Sequence, residues 1–345
     1  MIVDCHMHVF TWLDGPGGYD SAERHQAYLK GSHSMPVRRK RDDAIIADPI
    51  PWERAETFRA ARFGRYEWSL DGEEYYVQQF SPSLQTMESS PEFILAHMDY
   101  VGIDVAVLQH DAIYGRYNEL FAEIQSKYPG RFVGLAKIDE AIACTPDCLR
   151  MLRSHVEEYR LKGLFFQQAG FPQAGSTVWA DDEFDGFWHT VQELRLPVYL
   201  HGMNNYRAMA RLAGRFPETT FMFLLPQGRF PREGRCHIPD HIHALMSLPN
   251  VLAEICPIAY GFNYEYPYVE VQPTIRALYE EFGGSKFCWG SDMPNLERFC
   301  TYLQGLDFLR THCAFISRED MRLILGENAA RVFHLDVASR MSAKL

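Results

Sequence analysis

The chain has eight cysteines but no C-x-x-C pair among them, which speaks against a cysteine framework. Cys5, Cys256 and Cys288 sit in apolar, strand-like words, where cysteine acts as a small hydrophobe. Reduced thiols and a cytoplasmic location are expected. No apolar run approaches the roughly 20 residues of a membrane span. The first residues read directly as a strand, so no signal peptide and no membrane contact are expected. Positive charge is not in excess: the net charge is −11, which argues against nucleic-acid binding. The one basic run, residues 38–41, is followed at once by Asp42 and Asp43 and reads as a solvated loop. A G-x-G-x-x-G loop is also missing, which removes support for a dinucleotide-binding sheet.

What is present is an ordinary globular composition, 47% hydrophobic and 23% charged. Eight short apolar words, residues 1–8, 104–109, 131–138, 163–167, 197–201, 220–225, 250–256 and 286–290, read as strands. Several are apolar on both faces, as in a buried parallel sheet. Amphipathic stretches at 91–100, 116–128, 145–159, 182–194, 206–216, 239–248 and 271–282 alternate with them. This alternation predicts an α/β fold, a (β/α)8 TIM barrel, over the whole chain 1–345. An open doubly wound sheet is the runner-up. Residues 10–90 interrupt the rhythm and read as an insertion after the first strand, a lid or a subunit contact in a homodimer. Inside it, Asp71-Gly72 between two aromatic-rich runs predicts a hairpin. Residues 296–345 read as C-terminal helices.

Barrel chemistry collects at the carboxyl ends of the strands. His6 and His8 end the first word, two positions apart and hence on one face. His201 ends the fifth, and Asp292 lies just past the eighth. Three imidazoles and a carboxylate suit one divalent ion, zinc first and manganese second. Asp292 followed by Pro294 also fits a helix start.

Residues 3–8 (VDCHMH), 197–202 (PVYLHG) and 289–295 (WGSDMPN) resemble the amidohydrolase superfamily. More narrowly they resemble its amidohydrolase-related branch, which includes aminocarboxymuconate-semialdehyde decarboxylase. Residues 102–108 (GIDVAVL), 129–134 (PGRFVG) and 326–333 (GENAARVF) carry the resemblance along the chain. It implies a (β/α)8 barrel with one metal on His6, His8, His201 and Asp292. It also implies a histidine at the end of the sixth strand, which this chain replaces near Leu225. His237, His241 and His243 follow, and His241 or His237 is a candidate acid–base substitute. Arg229 is a candidate for a substrate carboxylate. Gln167 ends the fourth strand and is read as a substrate contact; it cannot be carboxylated, so a second metal is not expected. Trp68 and Tyr260 represent two aromatic groups near the catalytic end and are read as substrate contacts.

The expected function is hydrolysis of a small aromatic or conjugated carboxylated substrate through metal-activated water, with Asp292 moving the proton. Non-oxidative decarboxylation in the same site is the alternative. A barrel that only binds a ligand is the third reading.

Overall fold

The computed structural model describes residues 1–335 except 31, 33, 34, 48–53, 172, 174, 226–230, 233 and 234. Eight parallel strand positions follow one another around a ring. The first is Val3–Met7 and the second Val105–Leu108. The third runs as Phe132–Gly134 and resumes as Ala136–Lys137. Leu164–Gln167, Val198–His201, Phe221–Leu224, Val251–Ile255 and Phe287–Trp289 complete the set. The third strand changes partner at its interruption. Leu135 N–H donates to Leu108 on one side, and Ala136 N–H donates to Gly163 on the other. Closure comes just past the eighth strand, where Asp292 N–H donates to the His6 carbonyl at 2.8 Å. His8 N–H in turn donates to the Met293 carbonyl at 2.9 Å.

Helices cover the outside of the ring, and their ends are written in the sequence. Ser90 caps Pro91–Val101 through the Phe93 N–H, and Gly102 ends it in the left-handed region. Thr145 caps Pro146–Glu157, and Thr301 with Gln304 forms a capping box on Tyr302–His312. The expected helices at 206–216 and 271–282 appear as Tyr206–Arg215 and Gln272–Phe282. Inside the ring, Val3, Cys5, Val107, Leu135, Phe165, Tyr199, Met222, Leu252 and Cys288 form one apolar cluster. Ala329, Val332 and Phe333 join that cluster, as a floor beneath the strand starts.

One irregularity sets the direction of the histidine pair. Asp4 faces Ala106 and Met7 faces Leu108, so three steps on the first strand match two on its neighbour. That is a β-bulge. Strict alternation from inward Val3 and Cys5 would send His6 and His8 outward with Asp4. The bulge reverses the phase: Met7 packs in the outer layer, and both imidazoles turn into the mouth of the ring.

The insertion contains the helix Ala22–Lys30 and a four-stranded antiparallel sheet. The helix was not expected, because its buried residues are only His25 and Leu29. The hairpin is present: Leu70 pairs with Glu73, leaving Asp71 and Gly72 as a two-residue turn with φ of 50° and 80°. Phe10 and Phe80, which flank the insertion's core, lie 4.6 and 6.0 Å from the Tyr114 ring. Tyr114 lies 4.3 Å from the His8 ring, so the insertion walls one side of the strand ends. Among the described residues, no helix is long and apolar enough to cross a membrane.

Candidate metal centre

His6, His8 and Asp292 bring donor atoms within 4.8 Å of one another. The two Nε2 atoms are 3.1 Å apart, and His8 Nε2 is 3.1 Å from Asp292 Oδ1. Each Nδ1 is already committed to an acceptor. His6 Nδ1 donates to Glu254 Oε1 at 2.8 Å, and His8 Nδ1 donates to the Gln109 carbonyl at 3.0 Å. In the neutral rings both Nε2 atoms therefore carry lone pairs. Two lone pairs and a carboxylate oxygen converging at this distance repel unless a cation is shared among them, either a metal ion or the proton that His6 can carry toward His8. Asp292 Oδ1 is buried and accepts no hydrogen bond among the described residues. This donor set fits one divalent ion, and Glu254 and Gln109 supply the outer partners that fix the ring tautomers.

The charge balance agrees. Burial alone would lower the His6 imidazole, but the carboxylates of Glu254, Asp292 and Asp4 push it up to about 9. Burial dominates at His8 and holds it below its ordinary value. Burial opposes ionisation of Asp292, yet His6, His8 and the Asn295 amide hold its carboxyl below the usual range. Asn295 Nδ2 donates to Asp292 Oδ2 at 3.1 Å, leaving Oδ1 turned to the imidazoles. Gly290 permits the close packing behind the pair: a Cβ there would lie 2.7 Å from both Glu254 and His6.

His201 stands outside this trio. Its ring is 6.3 Å from that of His6, and its Nε2 lies 3.1 Å from Asp111 Oδ2. To join the ligand set it would have to exchange that partner for the metal. Gln167 links the same group, its Nε2 donating to Asp111 Oδ2 at 3.0 Å and its Oε1 accepting from Ala112 N–H. The Gln167 N–H is held by buried Glu140, which also pairs with Lys137.

An open cavity of about 960 Å³ lies beside the centre, lined in part by Gln167, Gln168, His201, Tyr206, Arg207 and His241. The His6, His8 and Asp292 donors do not line it; His201 and Gln167 stand at the boundary. His241 stacks on Tyr206 at 5.6 Å in the cavity wall. His237 is exposed, precedes the helix Asp240–Met246, and does not line this cavity. Of the two expected acid–base candidates, His241 therefore lies on this cavity and His237 away from it. His243 faces Glu281.

The aromatic expectations also need correction. Trp68 is 2% exposed and stacks on Tyr75 within the insertion, because Tyr66, Trp68 and Leu70 share its packed face. Tyr260 is sealed between Tyr268 and Phe308. Neither ring is open to a substrate. Arg229 lies outside the described residues. On the sixth strand the register pairs Leu224 with Glu254, so Leu224 rather than Leu225 holds the position level with His201 and Gln167. Leu225 packs in the outer core.

Glu254 and Asp111 were not among the expected site residues. A carboxylate inside the apolar word 250–256 was the available signal for Glu254, since a buried charge needs a partner. Asp111 follows the second strand, where the strand-end argument also applies.

The family model described as Amidohydrolase matches residues 3–335. A 4-sulfomuconolactone hydrolase of Hydrogenophaga intermedia is 25% identical over 264 residues, 74% of this chain and 82% of that protein. A structure from Acinetobacter baumannii, described as a probable 2-pyrone-4,6-dicarboxylic acid hydrolase with citric acid bound, superposes with a TM-score of 0.60. Its identity is 17%, covering 96% of this chain and 99% of that one. The 5-carboxyvanillate decarboxylase of Sphingomonas paucimobilis gives a TM-score of 0.52 at 18% identity, covering 70% and 82%.

Proposed function

The chain belongs to the amidohydrolase family, and from that premise and the geometry of the strand ends we propose a metal-dependent hydrolase of a small, unsaturated cyclic ester that carries an acid group. The observation that carries this reading is the convergence of His6, His8 and Asp292 with both imidazole tautomers locked. The names of the two hydrolase relatives supply the substrate class.

His6, His8 and Asp292 would hold a zinc ion, which when bound would polarise an ester carbonyl and acidify water. Asp292 enters the reaction ionised, since its carboxyl is held below the usual range. The carboxylate takes the proton as water oxygen attacks the carbonyl carbon, and returns it to the leaving oxygen as the ring C–O bond breaks. Asn295 fixes the orientation of that carboxylate through Oδ2. His201, oriented by Asp111, borders the cavity and presents a polar wall to the substrate.

The test is Asp292→Asn. Its zinc content, measured by mass spectrometry, should stay at a substantial fraction of wild type while kcat falls at least a hundredfold. An unchanged kcat would remove Asp292 from the proton path. Decarboxylation in the same site is the second reading, supported by the 5-carboxyvanillate decarboxylase among the similar structures. Hydrolysis places labelled water oxygen in the product; decarboxylation releases carbon dioxide without it. A cytoplasmic location accords with the seven described cysteines, all free. A homodimer contacting through the insertion completes the proposal.

A further inference from the structure

The helix Tyr206–Arg215 carries three arginines at four-residue spacing, and they do not share one fate. Arg211 pairs with Asp181 at 2.6 Å, and Arg215 pairs with Asp182 at 2.9 Å and also with Asp185. Arg207 is exposed in the first turn, lines the cavity beside His201, and has no carboxylate partner among the described residues. The surroundings favour an anion. Asn205 caps this helix, whose amino-terminal turn forms part of the cavity wall. His201, His241 and the amides of Gln167, Gln168, Asn204 and Asn205 supply the other polar groups. The Gln168 Nε2 donor is buried with no hydrogen-bond partner among the described residues. No aspartate or glutamate is among the described lining residues, in a chain of net charge −11. Asp111 lies behind the wall and is answered by His201 and Gln167.

We infer that Arg207 is a specificity residue that anchors a carboxylate or sulfonate of the substrate in this cavity, away from the bond that reacts. A planar guanidinium offers such a group two parallel donors, which a lysine cannot reproduce. The inference deepens the proposed function and rests on its reading of the cavity as the substrate site. It does not require that His6, His8 and Asp292 hold zinc.

The experiment titrates benzene-1,3-dicarboxylate into the full chain by calorimetry, with and without zinc, and uses benzene-1,3-dicarboxamide as the uncharged control. Zinc content is measured on the same samples. The wild type should bind the dicarboxylate in both states and the diamide at least tenfold more weakly. Arg207→Gln should weaken dicarboxylate binding at least tenfold, with Arg207→Lys intermediate. Arg211→Gln, which removes the same charge one turn away, should bind as the wild type does. Equal binding by wild type and Arg207→Gln overturns the inference, as does no dicarboxylate binding by the wild type at millimolar concentration. Arg207-dependent binding in a chain that takes up no zinc upholds the inference and defeats the metal reading instead.

Discussion

At the scale of single residues, the centre depends on groups that do not themselves reach the shared point. Glu254 is buried and spends one oxygen on His6 Nδ1. Removing its charge leaves a hydrogen-bonding side chain of nearly the same shape. Glu254→Gln should therefore remain folded while its zinc affinity falls tenfold to a hundredfold, as outer partners of metal-bound imidazoles commonly show. Competition against a fluorescent zinc chelator measures this; an unchanged affinity would assign Glu254 to packing alone. His6, His8 and Asp292 were legible because a strand-end histidine or acid is conspicuous among apolar neighbours. The commitment of His201 to Asp111 was not, since it depends on which side of the ring the Asp111 loop turns its carboxylate. Trp68 and Tyr260 misled for a related reason: aromatic composition does not state which face of a strand or helix is already occupied.

At the scale of elements, periodicity carried far. Strand and helix positions around the ring follow the apolar words closely, and caps such as Ser90 and Thr145 lie where the sequence places them. Register was less legible. The spacing of His6 and His8 fixes a common face, but the bulge between Asp4 and Met7 decides which face that is. In the insertion, the Asp71-Gly72 turn is a second local determinant. Gly72 has φ of 80° and open space around it, so a side chain there meets backbone strain rather than a clash. Gly72→Val should lower stability by about 1–2 kcal/mol and leave zinc binding intact. Denaturant unfolding with parallel metal analysis checks both; a loss of zinc would show that the hairpin supports the centre directly.

At the scale of the molecule, an α/β barrel of the amidohydrolase family presents its site where the strands end. A bound ion would add stability that depends on its concentration. Chelation should therefore lower the Tm, and added zinc should restore it; a Tm indifferent to both would argue against an ion at this centre. The barrel was legible because many strand words share one alternation. The outer strands of the insertion's sheet, beyond the expected hairpin, were not, because strands as short as Arg38–Arg39 and Arg59–Ala60 carry too few residues for a pattern.

The seam between Met7 and Met293 joins the start of the chain to a point near its end. His6 and His8 leave the ribosome first, but Asp292 follows only after nearly the whole barrel has been made. At about 5–20 residues per second the histidines wait for it for roughly 15–60 s. A chain cut short anywhere before Asp292 holds two of the three donors and an unclosed ring. Metal capture on this seam would thus mark a chain that has reached Asp292, which a shorter nascent or truncated one would have no way to imitate.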